Sequence, residues 1–95
     1  MQKVSVVGAG TMGNGIAHVI ALHHLNVHLI DTDPNALEKA IATITKNLDR
    51  QVQKGTITQD QKALTIQAIS TFTSIEEGVK EADLVIESAT ENKVI

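Results

Sequence analysis

Apolar positions along the chain switch between a period of two and a period near 3.6, and the switches mark out eight segments. Lys3–Val7 is a short apolar run with the length of a buried strand. A helical pattern follows from about Thr11 to His23, with Met12, Ile16, Val19, Ile20 and His23 on one face. Val27–Asp31 reads as a second strand. Asp33 then has the character of an N-cap, and Pro34 falls at the first helical position. The long helix they open carries Leu37, Ile41, Ile44, Leu48 and Val52 as a stripe and ends at Gly55, a left-handed C-cap. Thr58 with Gln61 forms a capping box for a third helix over about Gln59–Ile69. A short strand near Ser70–Thr73 comes next, then a helix started by Ser74 with Glu77 and ending near Glu81. Asp83–Ser88 is the fourth strand, with Leu84-Val85-Ile86 as its buried run.

Strands that alternate with helices imply right-handed crossovers and a parallel sheet, an α/β fold. One junction lacks its usual residue. The first helix runs into the second strand through Leu22-His23-His24-Leu25, with no glycine. His24 at the left-handed position costs on the order of 1 kcal/mol relative to glycine.

The first junction carries the chemistry. Val6-Val7-Gly8-Ala9-Gly10-Thr11-Met12-Gly13 is a strand running through a glycine-rich turn into a helix. Gly8 allows the tight turn, Gly10 lets a diphosphate approach the backbone, and Gly13 lets the helix lie against the sheet. The helix beginning at Thr11 directs free N–H groups and the positive end of its dipole at that site. Asp31 closes the second strand, 18 residues after Gly13, where a carboxylate accepts a hydrogen bond from a ribose 2′-hydroxyl. A carboxylate there repels a 2′-phosphate, so the expected cofactor is NAD rather than NADP. The expected architecture is an incomplete Rossmann doubly wound parallel sheet of about four strands in the order 3-2-1-4, with a helix hairpin after the second strand. Residues 1–95 are read as the N-terminal portion of that domain, without the fifth and sixth strands that would complete the sheet.

Composition narrows the partners. The 95 residues carry a net charge of −3, and Phe72 is the only aromatic. That excludes an aromatic stacking platform and argues against a nucleic-acid or anionic membrane surface. Without cysteine there is no disulfide framework and no thiolate metal site. His18, His23, His24 and His28 have no carboxylate at recognisable metal-ligand spacing, so no metal is expected. No apolar stretch is long enough to span a bilayer, and a cytoplasmic setting is expected. An apolar fourth strand left with an open edge predicts that another copy covers it or that the chain is only marginally stable.

Three segments together resemble the 3-hydroxyacyl-CoA dehydrogenases, in particular the bacterial short-chain 3-hydroxybutyryl-CoA type. They are Val6–Ala17, Lys46-Asn47-Leu48-Asp49-Arg50-Gln51-Val52-Gln53-Lys54-Gly55, and Asp83-Leu84-Val85-Ile86-Glu87-Ser88-Ala89-Thr90-Glu91-Asn92. The resemblance implies hydride transfer between NAD and the C3 carbon of an acyl-CoA. It implies cofactor contacts from Gly8, Ala9, Gly10, Thr11, Met12, Gly13, Asp31 and Thr32, joined by Ala89, Thr90 and Glu91. It also implies that Asn47 and Lys54 meet the CoA moiety, and that the full enzyme is a homodimer. Asn47 and Lys54 lie nearly in line on one helix face, about 10 Å apart by helix rise. Lys39, Lys46 and Arg50 share the polar side of that helix and read as solvated surface. In this family the general-acid His and its Glu partner lie downstream of the segments present here, as does the C-terminal helical domain that supplies the dimer interface, so no catalytic residue is assigned. The chain alone is expected not to turn over substrate. A free-standing NAD-binding or sensing module without catalysis is the alternative reading.

Overall fold

The computed structural model describes residues 3–88. The elements are β1 (Lys3–Val7), α1 (Thr11–Leu22), β2 (Asn26–Ile30), α2 (Pro34–Lys54), α3 (Gln59–Gln67), β3 (Ile69–Phe72), α4 (Ile75–Val79) and β4 (Leu84–Glu87). The four strands form one parallel sheet in the order β3-β2-β1-β4, as expected. Val6 sits between Leu29 and Ile86 in the register, so β1 is central and its carboxyl end is flanked on both sides.

Alternation along the strands sorts side chains onto two faces. Val4, Val6, Val27 and Leu29 join Ala17, Ala21, Leu37, Ala40, Ile44 and Leu48 in the core under α1 and α2. Ser5 and His28 point the other way, to α4. The Ser5 hydroxyl donates to the Gly78 carbonyl at 2.6 Å, and His28 Nδ1 reaches the same oxygen at 3.0 Å. A carbonyl oxygen only accepts, so Nδ1 carries the hydrogen in this arrangement. Leu29, Ile30, Ile44 and Leu48 are essentially inaccessible, each worth about 1.5–3 kcal/mol of burial.

The caps form where the sequence places them. Asp33 accepts from the Asn35 amide at 2.9 Å beside Pro34. Gly55 is left-handed at φ 80, and its N–H and that of Thr56 bond back to Val52 and Gln51, a Schellman arrangement. The Thr58–Gln61 capping box makes both of its bonds, at 3.1 and 2.8 Å. An Asp49–Lys62 ion pair ties α2 to α3 and completes the hairpin. His24 takes the left-handed conformation, φ 67, in place of the missing glycine.

Three expectations need correcting. The buried side of α1 is the small-residue row Gly13, Ala17 and Ala21, whereas Met12 and Val19 are about half exposed. Small residues let the helix axis approach the sheet, which leaves the larger side chains on the flanks. On α2, Ala40 is buried with Leu37, Ile44 and Leu48, while Ile41 and Val52 are only partly covered. Leu84 and Val85 are exposed rather than buried, because β4 pairs only with β1 and its outer edge is open among the described residues. Strand ends also shift by a residue: Ile69 opens β3 instead of closing α3.

Candidate dinucleotide site

The site begins at the carboxyl end of β1. Gly8 has φ 103, a region in which a Cβ is strongly disfavoured. Its N–H donates to Ile30 O at 2.7 Å, so the turn stays tied to β2. Ala9 N–H donates to Asp31 Oδ2 at 3.0 Å, and Asp31 Oδ1 accepts from the Asp33 amide at 2.9 Å. Each carboxylate oxygen keeps a second lone pair. Half-buried Asp31 is therefore held in place and still able to accept from a hydroxyl on the open side.

Gly10 and Gly13 answer to different constraints. A Cβ on Gly13 would overlap the Gly8 carbonyl oxygen and stand 2.8 Å from Gly8 C and 2.9 Å from Ser88 Oγ. Gly13 is thus required by the packing of α1 on β1. Gly10 has φ −68, and a Cβ there would meet nothing within 4 Å. Neither backbone nor packing demands glycine at Gly10, which leaves room beside the turn for something outside the chain.

The electrostatics of the turn favour an anion in that space. Gly10 is the N-cap of α1 and supplies no side-chain cap, and the first turn holds no acidic residue. The first N–H groups of a helix lack intrahelical partners, and the dipole favours negative charge there. By contrast, α2, α3 and α4 are capped by Asp33, Thr58 and Ser74. Thr11 and Met12 stand exposed at the same mouth. A hollow of about 110 Å³ lies alongside, lined by Gly8, Asp31, Thr32 and the apolar Val7, Ile30 and Ile75. A groove of about 270 Å³ on the other side of the turn runs past Gly10, Thr11 and Asn14 to Lys39 and Thr43 of α2. A larger hollow, about 490 Å³, lies between Leu37 and Ile41 of α2 and Thr71 and Thr73 beside β3. It contains none of the turn's donors, so chemistry rather than size selects the site.

The structure brings Gly8, Ala9, Gly10, Thr11, Met12, Gly13, Asp31 and Thr32 to one end of the sheet. Ala89, Thr90 and Glu91 lie outside the described residues. Asn47, half-buried, and Lys54, exposed, lie along α2. Lys54 is the last residue of a 21-residue helix, about 30 Å by helix rise from the end near Asp33. The structure therefore does not join Lys54 to the glycine turn. Its charge also suits the carbonyl end of α2, a structural role independent of any ligand. Three histidines have local partners: His18 with Gln51 at 3.1 Å, His23 with Val19 O at 2.8 Å, and His28 with Gly78 O. Among the described residues no group of three or more His, Asp or Glu is placed to hold a metal ion. Nor is any described helix long and apolar enough to cross a membrane. Sequence reasoning did not single out Ser88 or Ile75; both owe their place at the turn to the β4 register and to α4.

The sheet order, the glycine turn and the acid closing β2 define a dinucleotide-binding Rossmann unit. The family model for the 3-hydroxyacyl-CoA dehydrogenase NAD binding domain matches residues 3–95. The chain belongs to this family, whose cofactor is NAD. It is 41% identical over its whole length to a 3-hydroxybutyryl-CoA dehydrogenase of Bradyrhizobium diazoefficiens and covers 32% of that protein. It is 41% identical to a 3-hydroxyadipyl-CoA dehydrogenase of Escherichia coli, over 96% of this chain and 19% of the relative. The crystal structure of an (S)-3-hydroxybutyryl-CoA dehydrogenase from Ralstonia eutropha superposes with a TM-score of 0.92 at 43% identity, over 97% of this chain and 32% of that one. The chain thus spans about a third or less of the length of these relatives.

Proposed function

We propose that the chain is the cofactor-holding part of an oxidoreductase that interconverts 3-hydroxyacyl-CoA, of the 3-hydroxybutyryl-CoA type, and 3-oxoacyl-CoA. When bound, NAD supplies the hydride acceptor. The residues of this chain hold and orient it. Amides at the start of α1, beside Gly10, Thr11, Met12 and Gly13, take the diphosphate. Asp31 takes the adenosine ribose, with Gly8, Ala9 and Thr32 around it, and Ala89, Thr90 and Glu91 belong to the same set. Asn47 and Lys54 on α2 meet the CoA portion of the substrate. The proton donor to the carbonyl oxygen comes from elsewhere in the enzyme.

The observation that carries this reading is the space at Gly10. Gly10→Ala should fold nearly as well as the parent, because its Cβ meets nothing; the change of N-cap costs no more than about 1 kcal/mol. NAD affinity should nevertheless fall by about tenfold or more, since the methyl would occupy ground needed by the diphosphate. Calorimetry or NMR is the suitable readout, as the chain has no Trp. Unchanged affinity in Gly10→Ala would remove the diphosphate from this turn.

The CoA assignment stands on the relatives' substrates and the exposed Lys54. In the full-length enzyme, Lys54→Glu should raise the KM for acyl-CoA about tenfold with kcat nearly unchanged, by loss of one charge-assisted contact. An unaltered KM would return Lys54 to its structural role. In the isolated chain, the exposed Leu84 and Val85 on β4 support pairing of this strand with a second copy. Light scattering on the isolated chain reads this directly, and a stable monomer would count against it.

A further inference from the structure

Ser88, at the carboxyl end of β4, is buried to 3% exposure and lies on the flank of the glycine turn opposite Asp31. Its hydroxyl lies 2.9 Å from both Val7 O and Gly8 O, and its own N–H donates to Val7 O at 2.9 Å. The Gly8 carbonyl belongs to the same planar peptide unit as the Ala9 N–H. That N–H is the one Asp31 Oδ2 accepts. One rigid plate at the mouth of the site is therefore gripped at both ends, by a hydroxyl from β4 and a carboxylate from the end of β2.

We propose that Ser88 is a positioning residue for the dinucleotide: with Asp31 it clamps the Gly8–Ala9 peptide and so aims the amides that follow. The proposal rests on the NAD reading above. A free plate could rotate about its flanking bonds, which Gly8 permits more readily than any other residue. Rotation would swing Ala9 and Gly10 away from the direction in which α1 presents its N–H groups. Ser88 is buried, and its hydroxyl is engaged with Val7 O and Gly8 O. It acts on affinity through the turn, and its loss should weaken every ligand that carries the diphosphate by the same factor.

The test is Ser88→Ala in the full 95-residue chain, with NAD and ADP-ribose affinities read by calorimetry well below the thermal midpoint. Both affinities are expected to fall about tenfold together, the effect of one lost buried hydrogen bond. Combined with Asp31→Asn, the two losses should be less than multiplicative, because both variants free the same peptide. Ser88→Cys, close in size with a weak donor, should lie between Ser88 and Ala, and it carries the comparison if the alanine variant does not fold. A lowered midpoint with unchanged affinity would make Ser88 merely structural and overturn the proposal. So would fully multiplicative losses. If Ser88→Ala binds NAD normally while Gly10→Ala does not, the clamp falls and the site stands. If the parent chain binds no NAD, both fall.

Discussion

Gly13→Ala is expected to cost the protein both its fold at the turn and its cofactor. The added Cβ would overlap a backbone carbonyl oxygen, that of Gly8, and not the end of a flexible side chain. Two escapes exist. Helix α1 can lift from β1, which opens the contact between Ala17, Ala21 and the sheet. Alternatively the Gly8–Ala9 peptide can rotate, which breaks its bonds to Ser88 and Asp31. Overpacking of this kind costs about 1–3 kcal/mol, and more when backbone must move. For a domain near 100 residues each kcal/mol lowers the midpoint by about 4–8 °C, so a fall of about 10 °C or more is expected. Thermal melting followed by circular dichroism checks this, and calorimetry should show NAD binding lost. A midpoint within a few degrees of the parent would mean that α1 is not packed as described. The contrast with Gly10→Ala is the informative part. The two glycines lie three residues apart in one motif, yet one answers to the protein's interior and the other, on the proposed reading, to the ligand.

That contrast also shows what the sequence can and cannot convey. The glycine spacing, the closing acid, Asp33-Pro34, Gly55 and the Thr58–Gln61 box are local signals, each with a stereochemical cause acting within a few residues. The elements and strand order they predict are the ones found. His24 was legible for the same reason, as a junction that required a positive φ without a glycine to supply it. Burial was less legible. Periodicity ranks side chains by size and polarity, so it placed Met12 and Val19 inward. The packing instead turns the Gly13-Ala17-Ala21 row to the sheet, because backbone proximity mattered more there than side-chain volume. The apolar run of β4 reads as buried by composition, but the expected strand order already puts it at an edge, and the open edge leaves Leu84 and Val85 exposed. Ser88 had no local signal at all. Its role exists only because the β1–β4 register carries it past Val7 to the turn, 80 residues from Gly8 in the chain.

Asp31→Asn should be the most damaging conservative substitution at the site. The carboxylate performs two tasks with two oxygens: it accepts from Ala9 N–H and Asp33 N–H inside the chain, and it faces the hollow beside Gly8, Thr32 and Ile75. An amide has one oxygen and one NH₂, so one of the two backbone donors must then face another donor. Either the turn or the start of the Asp33 cap loosens, whichever way the amide turns. The charge that favours a ribose hydroxyl and opposes a 2′-phosphate disappears as well. Hydrogen bonds to a charged group are worth about 1.5–3 kcal/mol, so NAD affinity should fall about 10- to 100-fold. Affinity for NADP should fall less, because the repulsion is relieved while the turn is weakened, and the preference for NAD should narrow. Paired titrations of NAD and NADP against parent and variant measure both numbers. A uniform loss for the two cofactors would confine Asp31 to holding the turn, and the ribose would have to be recognised by another group.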